Sequence, residues 1–159
     1  MKKITFALLV LVTSIFANNL KINILYLEEQ IKKPPVLSNV IEEANDSGLK
    51  GVELAIIDSN KGARFLNQTY ILEKTISKDK KVLLNAFEKF VKEKNSFVIV
   101  NVQNEFFEEL ITHPLSENIL IINSTNRNSW FRKNICRPNL LHSIASNDML
   151  YDALAQFLV

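Results

Sequence analysis

With 159 residues and 19 Lys and Arg against 17 Asp and Glu, the chain is long enough for one domain with a real core, and its charge is close to balance. No basic cluster stands out, so a surface that follows nucleic-acid phosphates is excluded from the expected partners. The single cysteine, Cys136, cannot close an internal disulfide, and the fold is not stapled.

The first residues read as a secretory signal over 1–17. Met1-Lys2-Lys3 is a basic start, Ile4 to Phe16 an apolar stretch, and Ala17 a small residue suited to cleavage. The apolar stretch is shorter than the ~20 residues a membrane-spanning helix needs, so export to the periplasm is expected ahead of a retained anchor. No cysteine follows it to carry a lipid. Removing Lys2 and Lys3 leaves 19 − 2 = 17 basic residues against 17 acidic ones, a neutral mature chain over residues 18–159.

Lys21 to Leu27 alternates and is rich in branched residues, which predicts a first strand. Glu28 to Ser47, with Pro34-Pro35 and Asn45-Asp46-Ser47-Gly48, reads as an irregular excursion. Gly51 to Leu66 has strand-like propensity, but a strand there would abut the next one, Tyr70 to Ile76, and break the alternation that parallel crossovers need. A helix is therefore predicted.

Lys80 to Lys94, with Leu83, Phe87, Phe90 and Val91 on one stripe, and Gln103 to Thr112, with Phe106, Phe107, Leu110 and Ile111, read as amphipathic helices. Between and after them, Ser96 to Val102, Asn118 to Asn123 and Asn139 to Ile144 predict strands. Runs such as Phe97-Val98-Ile99-Val100 suit strands buried on both faces. The last helix, Ser146 to Val159, spaces Met149, Leu150, Ala153, Leu154, Phe157 and Leu158 at three- and four-residue intervals, which predicts one buried face, with Ser146-Asn147-Asp148 as capping candidates. The expected fold is an open, mostly parallel α/β sheet of five strands in the order 2-1-3-4-5 with helices on both faces. Its ligands would bind at the carboxyl ends of the strands.

Three glycines, none in a phosphate-cradling spacing, argue against a nucleotide, and two isolated histidines argue against a metal. No cofactor and no catalytic group is expected. Cys136 and His142 flank one short strand whose ends lie roughly 20 Å apart, so Cys136 is expected as a small buried side chain and not as a nucleophile. Trp130-Phe131 between Arg127 and Arg132 reads as an aromatic lid or, preferably, as a helix packing its rings on the sheet.

The candidate ligand-binding residues are polar groups at strand ends. Asn123, Ser124, Thr125 and Asn126 follow the fourth strand, Gln103 and Asn104 the third, and Glu28 the first. Short hydrogen-bonding side chains there suit a small polar ligand, and they equally suit a turn that caps a helix.

Tyr26-Leu27-Glu28, Pro34-Pro35-Val36-Leu37-Ser38-Asn39, Gly62 with Arg64-Phe65-Leu66, Cys136 to His142, and Asp152 to Gln156 resemble type I periplasmic solute-binding proteins of the branched-chain amino-acid-binding kind. The resemblance is nearest to the substrate-binding proteins of ABC transporters associated with pyrroloquinoline-quinone-dependent alcohol catabolism. It implies the N-terminal lobe of a two-lobed receptor, with a second lobe beyond Val159 that this chain lacks. It also implies a small-molecule ligand delivered to an ABC permease, with no chemistry of its own. Amino-acid-binding relatives carry a serine-rich loop where this chain has Asn101-Val102-Gln103-Asn104, while Asn123 to Asn126 falls where they place alanine and threonine contacts. A sensor or interaction domain on the same lobe is the alternative.

Overall fold

A computed structural model describes residues 19–31 and 44–158. The expected signal segment, the Pro34-Pro35 stretch and Val159 lie outside the described residues. Five parallel strands form one sheet in the order β2-β1-β3-β4-β5. They are β1 (Leu20–Glu29), β2 (Gln68–Ser77), β3 (Phe97–Asn101), β4 (Leu120–Asn123) and β5 (Leu140–His142). The helices are α1 (Ser47–Ala63), α2 (Lys80–Lys92), α3 (Asn104–Thr112), α4 (Trp130–Lys133) and α5 (Asn147–Leu158).

The ambiguous segment is the helix α1, continued by a short 3-10 turn over Arg64–Leu66 that ends at Asn67, in the left-handed region at φ 54. Asp79 starts α2 by accepting a hydrogen bond from the Lys81 amide at 2.9 Å.

Pairing registers put Leu25 and Leu27 of β1, Val98 and Val100 of β3, Ile121 of β4 and Leu140 of β5 on one side of the sheet. There they meet Leu83, Phe87 and Phe90 from α2, Phe106, Phe107, Leu110 and Ile111 from α3, and Phe131 from α4 in one continuous cluster. Each large side chain so buried contributes about 1.5–3 kcal/mol. Phe131 joins this core while Trp130 stays exposed, so the pair is split between packing and solvent.

The other side is closed only in part. Helix α1 lies along β2, where Glu53 bonds Lys74 at 2.8 Å and the Asn60 amide bonds the Tyr70 backbone in both directions, and it reaches Tyr26 of β1 at Gly48 in its first turn. Across β3, β4 and β5 the same side leaves Phe97 38% and Leu141 49% exposed. Burial along β3 therefore alternates, with Val98 and Val100 inside and Phe97 open. This corrects the expectation that the central strands are buried on both faces: no helix among the described residues lies over that part of the sheet.

Three further expectations are corrected. The last strand is three residues long, because at its start Pro138 offers no amide to a ladder and Leu140 turns back to the Arg137 carbonyl at 3.2 Å, and at its end the partner strand β4 stops at Asn123, opposite His142. Cys136, left in that turn, is exposed and not a core residue. Helix α5 has no buried residue, against the buried face its periodicity predicts. Its Asn147 amide bonds the Arg127 carbonyl and its Asp148 pairs with Lys133, but Tyr151 to Leu158 are exposed. Nothing among the described residues covers that stripe.

Candidate functional site

The carboxyl edge of the sheet gathers the end of β1, the β3–α3 junction and the β4–α4 loop. β3 ends at Asn101, and Val102 drops into the core, so the chain turns sharply into α3. Glu29 holds that turn by accepting a hydrogen bond from the Gln103 amide at 2.9 Å. Gln103 precedes the helix without a side-chain cap, which leaves the first-turn amides of α3 open at this edge.

Asn123, fully buried at the end of β4, organises the loop that follows. Its Oδ1 accepts from the amides of Asn126 at 2.8 Å and Thr125 at 3.3 Å, and its Nδ2 donates to the Asn126 carbonyl at 2.7 Å. The same Nδ2 lies 2.8 Å from His142 Nδ1, which must then accept. Burial first, and the Arg132 guanidinium second, lower the His142 pKa below its ordinary value, so the ring is neutral at pH 7. Ser124 is likewise turned inward, its hydroxyl donating to the Val100 carbonyl at 2.8 Å.

A pocket of about 370 Å³ opens between these loops. Four of the sequence candidates line it, Gln103, Asn104, Thr125 and Asn126, together with Asn101 and Arg127. Asn128 and Asn147 complete its polar wall, and Arg127 is its one charged residue. The other three candidates lie behind it: Asn123 and Ser124 bond the loop and strand backbone, and Glu28 accepts from the Tyr26 hydroxyl at 2.6 Å. Among the lining residues, Asn101, Arg127, Asn128 and Asn147 were not singled out as ligand contacts from sequence. Their signals were present: Asn101 closes a strand, Arg127-Asn128 extends the polar run at Asn123, and Asn147 stands among the capping candidates of the last helix.

Apart from the apolar Val102, the lining is made of amides, one hydroxyl and one guanidinium. Such a wall is suited to directed hydrogen bonds with a small polar molecule. Among the described residues no group of three His, Cys, Asp or Glu could hold a metal ion, and no helix is long and apolar enough to cross a membrane. Comparison with known protein families and with curated proteins finds no match for this chain.

Proposed function

We propose that the chain is the ligand-binding lobe of a periplasmic solute receptor, which captures a small polar molecule at the carboxyl edge of its sheet and delivers it to an ABC permease. The observation that carries the reading is the amide-lined pocket at the ends of β3 and β4. It lies at the carboxyl edge of the sheet, the edge at which open α/β sheets bind ligands, one strand along from the β1–β3 switch in strand order. The leader-like start Met1 to Ala17 and the resemblance through Cys136 to His142 and Asp152 to Gln156 support export and transport.

In this reading Gln103, Asn104 and Thr125 meet the ligand directly, while Asn123 and Ser124 hold the loop that presents Thr125 and Asn126. Function follows from binding and not from catalysis. Equilibrium dialysis of the purified chain against a panel of labelled amino acids, short hydroxy acids and polyols tests it. Binding of one class should weaken about tenfold in Asn104→Ala and Thr125→Val, the loss of roughly one hydrogen bond each. Retention of any bound solute unchanged in both variants would count against the site.

A second reading, a sensor or interaction domain on the same lobe, is favoured by a different observation. Helix α5 exposes Met149, Leu154, Phe157 and Leu158 along one stripe, the kind of surface that meets a partner.

A further inference from the structure

Behind the pocket, Tyr26 is fully buried on the partly closed side of the sheet, and its hydroxyl lies between Glu28 of its own strand and Asn101 of β3. The hydroxyl donates to Glu28 Oε2 at 2.6 Å and accepts from Asn101 Nδ2 at 3.1 Å. Gly48, in the first turn of α1, presses its backbone onto this pair. A Cβ there would stand 2.9 Å from the Tyr26 oxygen and 3.0 Å from Asn101 Nδ2.

We infer that Tyr26 and Glu28 are positioning residues that fix the hydrogen-bond polarity of the pocket's Asn101 wall, so that it accepts while the Asn104 wall, set by Asn126 and Asn128, donates. This rests on the reading of the pocket as a ligand site.

A carboxylate only accepts, so the one hydroxyl proton of Tyr26 is committed to Glu28, and the oxygen can only accept from Asn101. Burial first, then the Glu28 hydrogen bond, raise the phenol pKa far above its ordinary value, so the proton stays in place across the working pH range. Asn101 must then turn its Nδ2 to Tyr26. Its Oδ1 has no partner among the described residues, and the residue lines the pocket.

A second chain sets the opposite wall. Asn126, only 7% exposed, accepts the Asn128 amide on its Oδ1 at 3.0 Å, so its Nδ2 donates to Asn104 Oδ1 at 2.8 Å. Asn104 has its Nδ2 left for a ligand. The pocket thus suits a molecule with an N–H or O–H group facing Asn101 and an oxygen acceptor facing Asn104.

The test is side-chain amide NMR on the full chain, with methylammonium as a donor-only probe and acetate as an acceptor-only probe. One Asn101 Nδ2 proton should exchange with water roughly tenfold more slowly than those of an exposed asparagine, the factor that ~1.4 kcal/mol represents. Tyr26→Phe, which keeps the ring volume, should abolish that protection. Glu28→Leu should free the hydroxyl to donate to Asn101 Oδ1 and flip the amide, so that methylammonium no longer shifts Asn101 while acetate still shifts Asn104. Glu28→Gln, which still offers an acceptor oxygen, should behave like the wild type, whereas a merely space-filling role of Glu28 would let the similarly bulky Glu28→Leu behave so as well.

Fast exchange at Asn101 in the wild type, acetate shifting Asn101, or a Glu28→Leu variant with unchanged methylammonium response would each overturn the inference. Slow Asn101 protons without a response to either probe would support the fixed polarity and count instead against the pocket as a ligand site.

Discussion

The two sides of the sheet differ in how completely the sequence closes them. Beneath α2, α3 and α4, sixteen residues form one cluster in which five phenylalanines interlock, Phe107 meeting Phe131 edge-on with centroids 4.8 Å apart. On the opposite side α1 covers β2 and reaches β1 at Tyr26, and the apolar residues of β3 to β5 remain half open. Hydrophobic composition is similar on both sides, so pattern alone does not decide burial. A side chain contributes only when a second element is present to meet it.

The largest expected effect separates these sides directly. Phe107→Ala removes a ring that is fully buried against Phe131 and near His142, and should cost about 3–5 kcal/mol in urea unfolding. Phe97→Ala, which truncates a ring 38% exposed on the other side, should cost about 1 kcal/mol or less. Equal losses would show that the open side is covered in solution and would erase the contrast.

Next in size is Asn123→Ala. It leaves the Asn126 and Thr125 amides and the Asn126 carbonyl without their partner, and should cost about 1–3 kcal/mol while loosening the pocket wall. Ser124→Ala on the same loop loses one bond to the Val100 carbonyl and should cost about 0.5–1.5 kcal/mol. Thermal melts of the two variants side by side check the order. A cheaper Asn123→Ala would mean that the loop is held by its backbone and not by that side chain.

The fold was legible because the period of the hydrophobic residues changes cleanly. Phe97 to Val100 demands a strand, Leu83 to Phe90 a helix, and alternation of the two leaves parallel crossovers as the economical connection. Even the doubtful Gly51 to Leu66 segment followed from that connection rule, with Ser47–Ala63 helical. Burial was harder to read, since the stripe of α5 and the outward residues of β3 to β5 have the same composition as buried ones. At the site, the polar residues stood out but not their directions. Asn123 and Thr125 look alike in sequence, yet one is spent on the backbone and the other lines the pocket. Glu28 faces Tyr26 because a phenol two residues earlier on the same strand face reaches it, which becomes evident only once the Tyr26 ring is placed.

A smaller effect concerns acid. Because burial and Arg132 lower the folded pKa of His142, the unfolded chain takes up a proton below its ordinary value of about 6.5 before the folded chain does. The unfolded state then binds more protons, and stability falls as pH drops through that window and stops falling below the folded pKa. A single group can contribute at most about 1.4 kcal/mol per pH unit, and partial exposure of His142 keeps its contribution to a small part of this. Melting temperature measured from pH 7 to 5 should decline less steeply in His142→Gln than in the wild type. Parallel declines would place the acid sensitivity of this window elsewhere than on His142.

The smallest expected effect returns to the uncovered apolar surface. Phe157 is 85% exposed near the end of α5, so Phe157→Glu removes no packing among the described residues and should change stability by no more than about 0.5 kcal/mol. A stripe of this length in contact with another surface would behave differently, since burying a phenylalanine against apolar neighbours contributes about 1.5–3 kcal/mol. A loss in that range, at one protein concentration or rising with it, would show α5 to be part of a closed interface. A silent substitution would leave α2, α3 and α4 as the helices on which stability chiefly depends.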